Sequence, residues 1–248
     1  MKNHKYHGNS CWENCEALLF DKDGTLVNFK LMWLNWCHEM IEVLKNDYNP
    51  EAVESCLSVW GVDLALGRIE PDGFLAIGSR EELQQSLADR MKDAGLCEAG
   101  PEEAIWKAMH CAYRSVEEKK LVQPIDGIPE TIAELHRRGY KLAVVTTDDT
   151  VKAEENLLTR GLSEYFSAVI GCDRVKHCKP APDLVFEACL LLNVESSRCT
   201  VIGDTAADML MGKAASTACN IGVASGVTSP EALSVHADLV LNSVADMI

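Results

Sequence analysis

Between residues 124 and 248, short uninterrupted apolar runs alternate with helical patterns, and no other feature restricts the fold of this chain as much. Lys141 to Thr146 (KLAVVT), Thr200 to Gly203 (TVIG) and Asp238 to Leu241 (DLVL) have the composition of strands buried on both faces. Ala168-Val169-Ile170 and Ala218 to Val223 are fainter versions of the same signal. Helices are expected between them. The clearest, Pro129 to Arg138, carries proline in its first turn, Ile132 and Leu135 on one face, two arginines in its last turn and Gly139 beyond. A further buried run, Ala17-Leu18-Leu19-Phe20, stands far upstream. Strand and helix in alternation predict an α/β fold, a three-layer doubly wound (Rossmann-like) parallel sheet.

Residues 29–122 follow a different pattern. Trp33, Cys37, Met40, Ile41 and Leu44 recur at helical spacing, and Leu83 to Met91 and Ala104 to Val116 are helical too, with no buried-strand run between them. The segment from Gly67 to Gly73 is dense in turn formers and predicts a loop or short hairpin. The expectation is therefore a Rossmann-like core from 1–28 and 123–248, interrupted by a helical cap domain at 29–122. Trp33, Trp36, Trp60 and Trp106 are expected in the core of that insertion.

Charge and cysteine content narrow the function classes. Thirty-eight Asp and Glu against 23 Lys and Arg leave a net charge of −15, and basic stretches such as Arg137-Arg138 are only two residues long. A nucleic-acid binder needs a basic face to displace counterions, so that class is excluded. At 248 residues the chain can bury a sizeable core without covalent staples. Its eleven cysteines, scattered and odd in number, are read as reduced, which predicts a cytoplasmic protein. The first residues hold no apolar core of signal-peptide type, and no run is long enough to span a membrane.

Four segments lie at or just beyond the C-terminal ends of these strands, the edge where open α/β sheets bind ligands. They are Asp21-Lys22-Asp23-Gly24-Thr25, then Thr146-Thr147, then Lys179 to Asp183 (KPAPD), then Gly203 to Asp208 (GDTAAD). Together they bring Asp21, Asp23, Asp204 and Asp208 to one edge. Burying unpaired carboxylates costs several kcal/mol each, so the cluster calls for cations. A hard divalent ion with oxygen ligands fits, Mg²⁺ foremost, and Lys179 supplies further positive charge.

Taken in order, these segments resemble the haloacid dehalogenase superfamily, phosphoglycolate phosphatase-like, over nearly the whole chain. The resemblance implies a Mg²⁺-dependent phosphatase acting on a small phosphorylated metabolite. Asp21 would be the nucleophile that forms an aspartyl-phosphate, and Asp23 the general acid and base. Thr146 would hydrogen-bond the phosphoryl group with help from Thr147, and Lys179 would hold charge. Asp21, the backbone carbonyl of Asp23, Asp204 and Asp208 would form the metal site. The 121 residues from Thr25 to Thr146 leave room for the cap, whereas the 33 from Thr146 to Lys179 do not. Asp23 is not expected in the dehalogenase branch, and Thr25 favours phosphatases over sugar phosphomutases, the nearest enzymatic alternative. A phosphoacceptor signalling module is the non-enzymatic one. The protein is expected as a monomer or homodimer.

Other groups carry plainer expectations. Arg68, with Arg80 and Lys30, is a candidate for substrate binding in the cap. Lys22 replaces the commoner apolar residue and, if the strand pleat persists, points away from Asp21 and Asp23. Asp148 and Asp149 are read as helix caps, and Asp208 also fits a capping box with Thr205. His4, His7, Cys11 and Cys15 do not have zinc-site spacing, and Cys172, His177 and Cys178 are read as bystanders.

Overall fold

The computed structural model describes residues 11–71, 73–97, 100–119, 121 and 123–248; His4 and His7 lie outside them. The chain leaves strand β1 (Ala17–Phe20) and enters a helical stretch made of α1 (Phe29–Leu44), α2 (Pro50–Cys56), α3 (Phe74–Ile77), α4 (Arg80–Asp93) and α5 (Glu102–Glu118). A two-stranded antiparallel hairpin of β2 (Val62–Asp63) and β3 (Arg68–Ile69) lies within it, and Gly67 sits in the turn. Then α6 (Ile128–Arg137), β4 (Lys141–Val145), α7 (Thr150–Thr159), β5 (Ala168–Ile170), α8 (Asp183–Leu192), β6 (Cys199–Gly203), α9 (Ala206–Ala214), β7 (Cys219–Val223), α10 (Pro230–Ser234) and β8 (Leu239–Leu241) follow.

Two compact units result, one of residues 1–27 and 124–248 and the other of residues 28–123. In the first, six parallel strands form one sheet in the order β5-β4-β1-β6-β7-β8. It is the α/β parallel-sheet architecture expected from the apolar runs. β1 lies between β4 and β6, and strand order reverses there. All four residues of β1 are fully buried, because helices cover both faces. Ala17 and Leu19 join Ala143, Val145, Val201 and the α8 residues Leu184, Val185 and Ala188 in one apolar cluster. Leu18 and Phe20 alternate to the other face, where the Phe20 ring meets Phe166 edge-on at 6.1 Å. At the exit from this unit, Val27 bridges Pro124 in antiparallel fashion.

The helical unit starts its helices with readable caps. Asn28 and Asn49 accept from the backbone N–H of Leu31 and Ala52, and Ser79 with Glu82 forms a complete capping box for α4. Its centre is two stacked indoles, Trp36 and Trp60, with ring centroids 5.7 Å apart. Trp36 donates to the Met109 carbonyl at 3.1 Å and Trp60 to the Leu83 carbonyl at 2.9 Å, which ties α1 to α5 and the segment after α2 to α4. Trp106 departs from the expected core set: it is 51% exposed and packs against His110 one turn on.

The expectation of reduced thiols fails at four positions. Cys11 is joined to Cys219 and Cys172 to Cys178, with Cα atoms 5.8 and 5.3 Å apart. The turn at residues 11–14 leads into β1, and Thr200, whose register partner is Cys219, donates to the Cys15 sulfur at 3.1 Å, so folding delivers Cys11 to the start of β7. Thiol chemistry therefore gives no argument about compartment. Among the described residues, no helix is long and apolar enough to cross a membrane.

Candidate active site

The catalytic candidates of the sheet unit lie at the C-terminal ends of its strands or in the segments that follow them. Asp21 follows β1, Thr146 follows β4 and Asp204 follows β6, while Asp208 lies in the first turn of α9 and Lys179 precedes α8. The Lys179 ammonium lies 2.5 Å from Asp21 Oδ1 and 2.6 Å from Asp208 Oδ1, with all three side chains buried. One lysine thus bridges two carboxylates from different strand ends.

Asp208 reconciles its two sequence readings by giving each oxygen a different partner. Oδ2 accepts from the Thr205 hydroxyl at 2.6 Å and from the Thr205 N–H at 3.1 Å, completing the capping box that starts α9. Oδ1 faces Lys179. The cap therefore fixes the side chain that in turn fixes the lysine.

Asp204 sits in a cradle. Val227 N–H donates to its Oδ2 at 3.1 Å, and Thr25 Oγ1 reaches its Oδ1 at 3.4 Å. Two glycines let the backbone come this close. Gly24 has φ +86°, and a Cβ there would lie 2.5 Å from Asp204 Oδ2; a Cβ on Gly226 would fall on the same oxygen. The loop after β7 is thus part of the site. The strand-end rule that found the other segments reaches it as well, but the loop carries no charged residue to mark it.

Burial governs the electrostatics. It pushes the Asp21 carboxyl up to about 7 against the pull of Lys179, with Asp208 and Asp23 adding to the rise. Asp204 is raised well above the carboxylate range by burial and then by the charges of Asp21 and Asp208. Burial works against charge on Lys179, but Asp208 and Asp21 override it and hold the ammonium above its usual range. One oxygen from each of Asp21, Asp204 and Asp208 falls within 4.8 Å of the others, a group able to hold a metal ion. Three carboxylates against one ammonium leave two negative charges, which a divalent cation would balance. The donor set is oxygen only, as hard ions require.

Thr146 is buried, its N–H bonded to the Ile170 carbonyl at 3.0 Å. Its hydroxyl oxygen accepts from the Asp148 N–H at 3.2 Å, which leaves the hydroxyl proton to donate. Thr147 is exposed. Asp149 begins α7 without capping it; Asp173 does so, accepting from the Thr150 N–H and hydroxyl at 2.8 and 2.7 Å. His177 is exposed and pairs with Asp183 at 3.2 Å. In the helical unit, Arg68 is exposed and pairs with Glu70 at 3.2 Å.

Lys22 does not follow the pleat. β1 ends at Phe20, so residues 21–23 no longer alternate, and the Lys22 side chain folds back to donate to Asp23 Oδ1 at 2.7 Å. It is buried and also lies 3.6 Å from Asp148 Oδ2.

Residues 15–216 match the model of the haloacid dehalogenase-like hydrolases. The chain is a haloacid dehalogenase-like hydrolase. This hydrolase is 28% identical over 236 residues to the pyrophosphatase PpaX of Listeria monocytogenes serotype 4b (strain F2365), covering 94% of each chain. It is 27% identical over 198 residues to PpaX of Halalkalibacterium halodurans, covering 79% of this chain and 78% of the relative. With such relatives, this hydrolase is an enzyme of the phosphatase kind. Its fold is shared with a predicted phosphoglycolate phosphatase from Haemophilus somnus 129PT at a TM-score of 0.70 and 21% identity, covering 97% and 98% of the two chains. A haloacid dehalogenase superfamily hydrolase of subfamily IA from Geobacter sulfurreducens PCA shares it at a TM-score of 0.62 and 18% identity, covering 94% and 95%.

Proposed function

We propose that this hydrolase is a Mg²⁺-dependent phosphatase that cleaves small phosphomonoesters through an aspartyl-phosphate on Asp21. The observation that carries the reading is the Lys179 bridge: an ammonium held between Asp21 and Asp208, beside a third buried carboxylate, at the ligand-binding edge of the sheet.

In this reading an oxygen of Asp21 attacks the substrate phosphorus, and the bond from phosphorus to the leaving oxygen breaks. Asp23 delivers the proton that the leaving alkoxide takes up, and then receives one from the water that hydrolyses the aspartyl-phosphate. Thr146, its oxygen already engaged by the Asp148 N–H, donates its proton to a phosphoryl oxygen. Lys179 balances charge between Asp21 and the phosphoryl oxygens. Asp21, Asp204 and Asp208, with the Asp23 carbonyl, would hold Mg²⁺; when bound it neutralises the carboxylates and polarises the phosphoryl group. Arg68 on the hairpin is kept as a candidate for substrate binding.

The test is phosphate release from p-nitrophenyl phosphate with Mg²⁺ and from a panel of metabolites. Phosphoglycolate, named for a structural neighbour, and pyrophosphate, named for the relatives, belong on that panel. Wild type should be active and Asp21→Asn inert. Equal inertness of both proteins across the panel would sink the reading.

A further inference from the structure

Beneath the rim of the site lies a second enclosed ammonium, that of Lys22. Its carbonyl accepts from the N–H groups of Leu26 and Val27 at 2.9 and 3.0 Å, so the turn after β1 is closed and the side chain has a fixed origin. The side chain is 1% exposed, whereas its carboxylate partners Asp23 and Asp148 are 17% and 20% exposed. These partners come from different loops, one after β1 and one after β4. Asp148 is itself anchored: its Oδ1 accepts from the Asp149 N–H at 2.9 Å, and its own N–H is given to Thr146. The result is a carboxylate, ammonium and carboxylate bridge across two loops, with the cation enclosed and both anions partly exposed. Enclosing an ammonium is costly unless its partners are well placed. Here the placement has a chemical consequence, because Oδ1 of Asp23 is the oxygen committed to Lys22.

We propose that Lys22, anchored by Asp148, is a positioning residue that holds Asp23 Oδ1 and so turns Asp23 Oδ2 toward the leaving oxygen. This rests on the phosphatase reading above. The proton then sits on Oδ2 and passes to the leaving oxygen as the bond from phosphorus to that oxygen breaks and the bond to Asp21 forms. Asp23 is left as a carboxylate already paired with Lys22, and the attacking water returns a proton to it in the second step.

The experiment compares two leaving groups. kcat/KM is measured for wild type, Lys22→Met and Asp148→Asn on p-nitrophenyl phosphate, whose leaving group departs without a proton, and on the alkyl phosphate turned over fastest in the metabolite panel. General acid catalysis is worth about 10²–10⁴-fold. Lys22→Met should therefore lower the alkyl value by about 30-fold or more and the nitrophenyl value by no more than about 3-fold. Asp148→Asn should shift the ratio the same way, by about 5-fold, and decides the matter alone if Lys22→Met does not fold. A merely structural role would depress both substrates equally, so an unchanged ratio in the folded variants overturns the proposal, as does a wild type that cleaves p-nitrophenyl phosphate but no alkyl phosphate. A wild type inert on every substrate overturns the phosphatase reading as well.

Discussion

The two units of this hydrolase bury different things. Among the described residues, every buried polar or charged side chain belongs to the sheet unit, including Asp21, Lys22, Asp204 and Asp208. The fully buried residues described in the helical unit are of apolar types, and the N–H groups of its two central indoles are given to backbone carbonyls. A protein interior disfavours charge, so side chains that remain charged inside the sheet are held there by partners and bear on binding or chemistry. The core of the helical unit is held by packing. One core thus gives up stability to hold charge, and the other does not.

The sharpest way to test that contrast is Asp21→Asn. It should lower phosphate release by about 10⁴-fold or more, yet leave the metal-free protein melting no lower than wild type, since it removes a carboxylate that burial disfavours. Loss of stability comparable to the loss of activity would erase the distinction. The opposite substitution is Trp60→Ala in the helical unit. Removing a fully buried indole should cost about 3–5 kcal/mol in denaturant unfolding. Hydrogen exchange should then speed up in α1, α4 and α5 and stay slow in β1 and β6; equal acceleration in the sheet would show that the two units do not respond separately.

Gly226→Ala sets a smaller, local change. The new methyl would fall on Asp204 Oδ2, so the carboxylate must turn away from the position that Val227 holds. Mg²⁺ affinity by titration calorimetry should drop about 10–100-fold, with the fold intact by circular dichroism. Unchanged affinity would remove Asp204 from the metal site.

The smallest effect is a pH slope. Asp21, raised from 3.8 to about 7, keeps its proton in the folded protein at pH values where the unfolded chain has lost it, and Asp204 is raised too. The contribution of Asp21 is complete below about pH 4 and is lost as pH rises toward 7, and Asp204 acts in the same direction. Metal-free stability should fall across that window, by up to about 1.4 kcal/mol per pH unit for each group. Saturating Mg²⁺ should flatten the slope, because it binds the ionised carboxylates. Other ion-paired carboxylates run the other way in both units: Glu39 beside Lys119 and Glu102 beside Lys92 in the helical unit, and Glu134 beside Arg137 in the sheet unit, are held below the usual range. A metal-free melting temperature that rises from pH 4 to 7 would contradict the expectation for the sheet unit.

How much of this could be read from the sequence depends on distance along the chain. β1, β4 and β6 announce themselves because a strand covered on both faces must be apolar at every position, as Ala17–Phe20 is. β5 lies at a sheet edge, is only three residues long and is half-buried at two of those positions, and its signal is faint, whereas β8 at the other edge has the same burial yet reads as a full apolar run; β7, buried at every position, reads faintly because Asn220 and Gly222 interrupt its apolar residues. Asp21, Asp204 and Asp208 were legible because each follows a strong strand. Lys22 was misread because the alternation of a strand was carried past its last paired residue. The cysteine pairing was hidden because Cys11 and Cys219 are 208 residues apart and only the folded sheet brings them together. The cradle of Asp204 depends on what Gly226 lacks, and a missing side chain leaves no chemical pattern to find.

The bridge between Val27 and Pro124 has a consequence for how such a protein can change over time. The next pair outward, Asn28 N–H to the Gln123 carbonyl at 2.9 Å, continues it, so the chain returns to the point from which it left. To the sheet, residues 28–123 are a single closed loop, whatever they contain. Loop closure becomes only about 0.6 kcal/mol costlier for each doubling of length. The insertion can therefore be lengthened, shortened or exchanged at little thermodynamic penalty, while the strand ends that carry Asp21, Lys179, Asp204 and Asp208 stay in register.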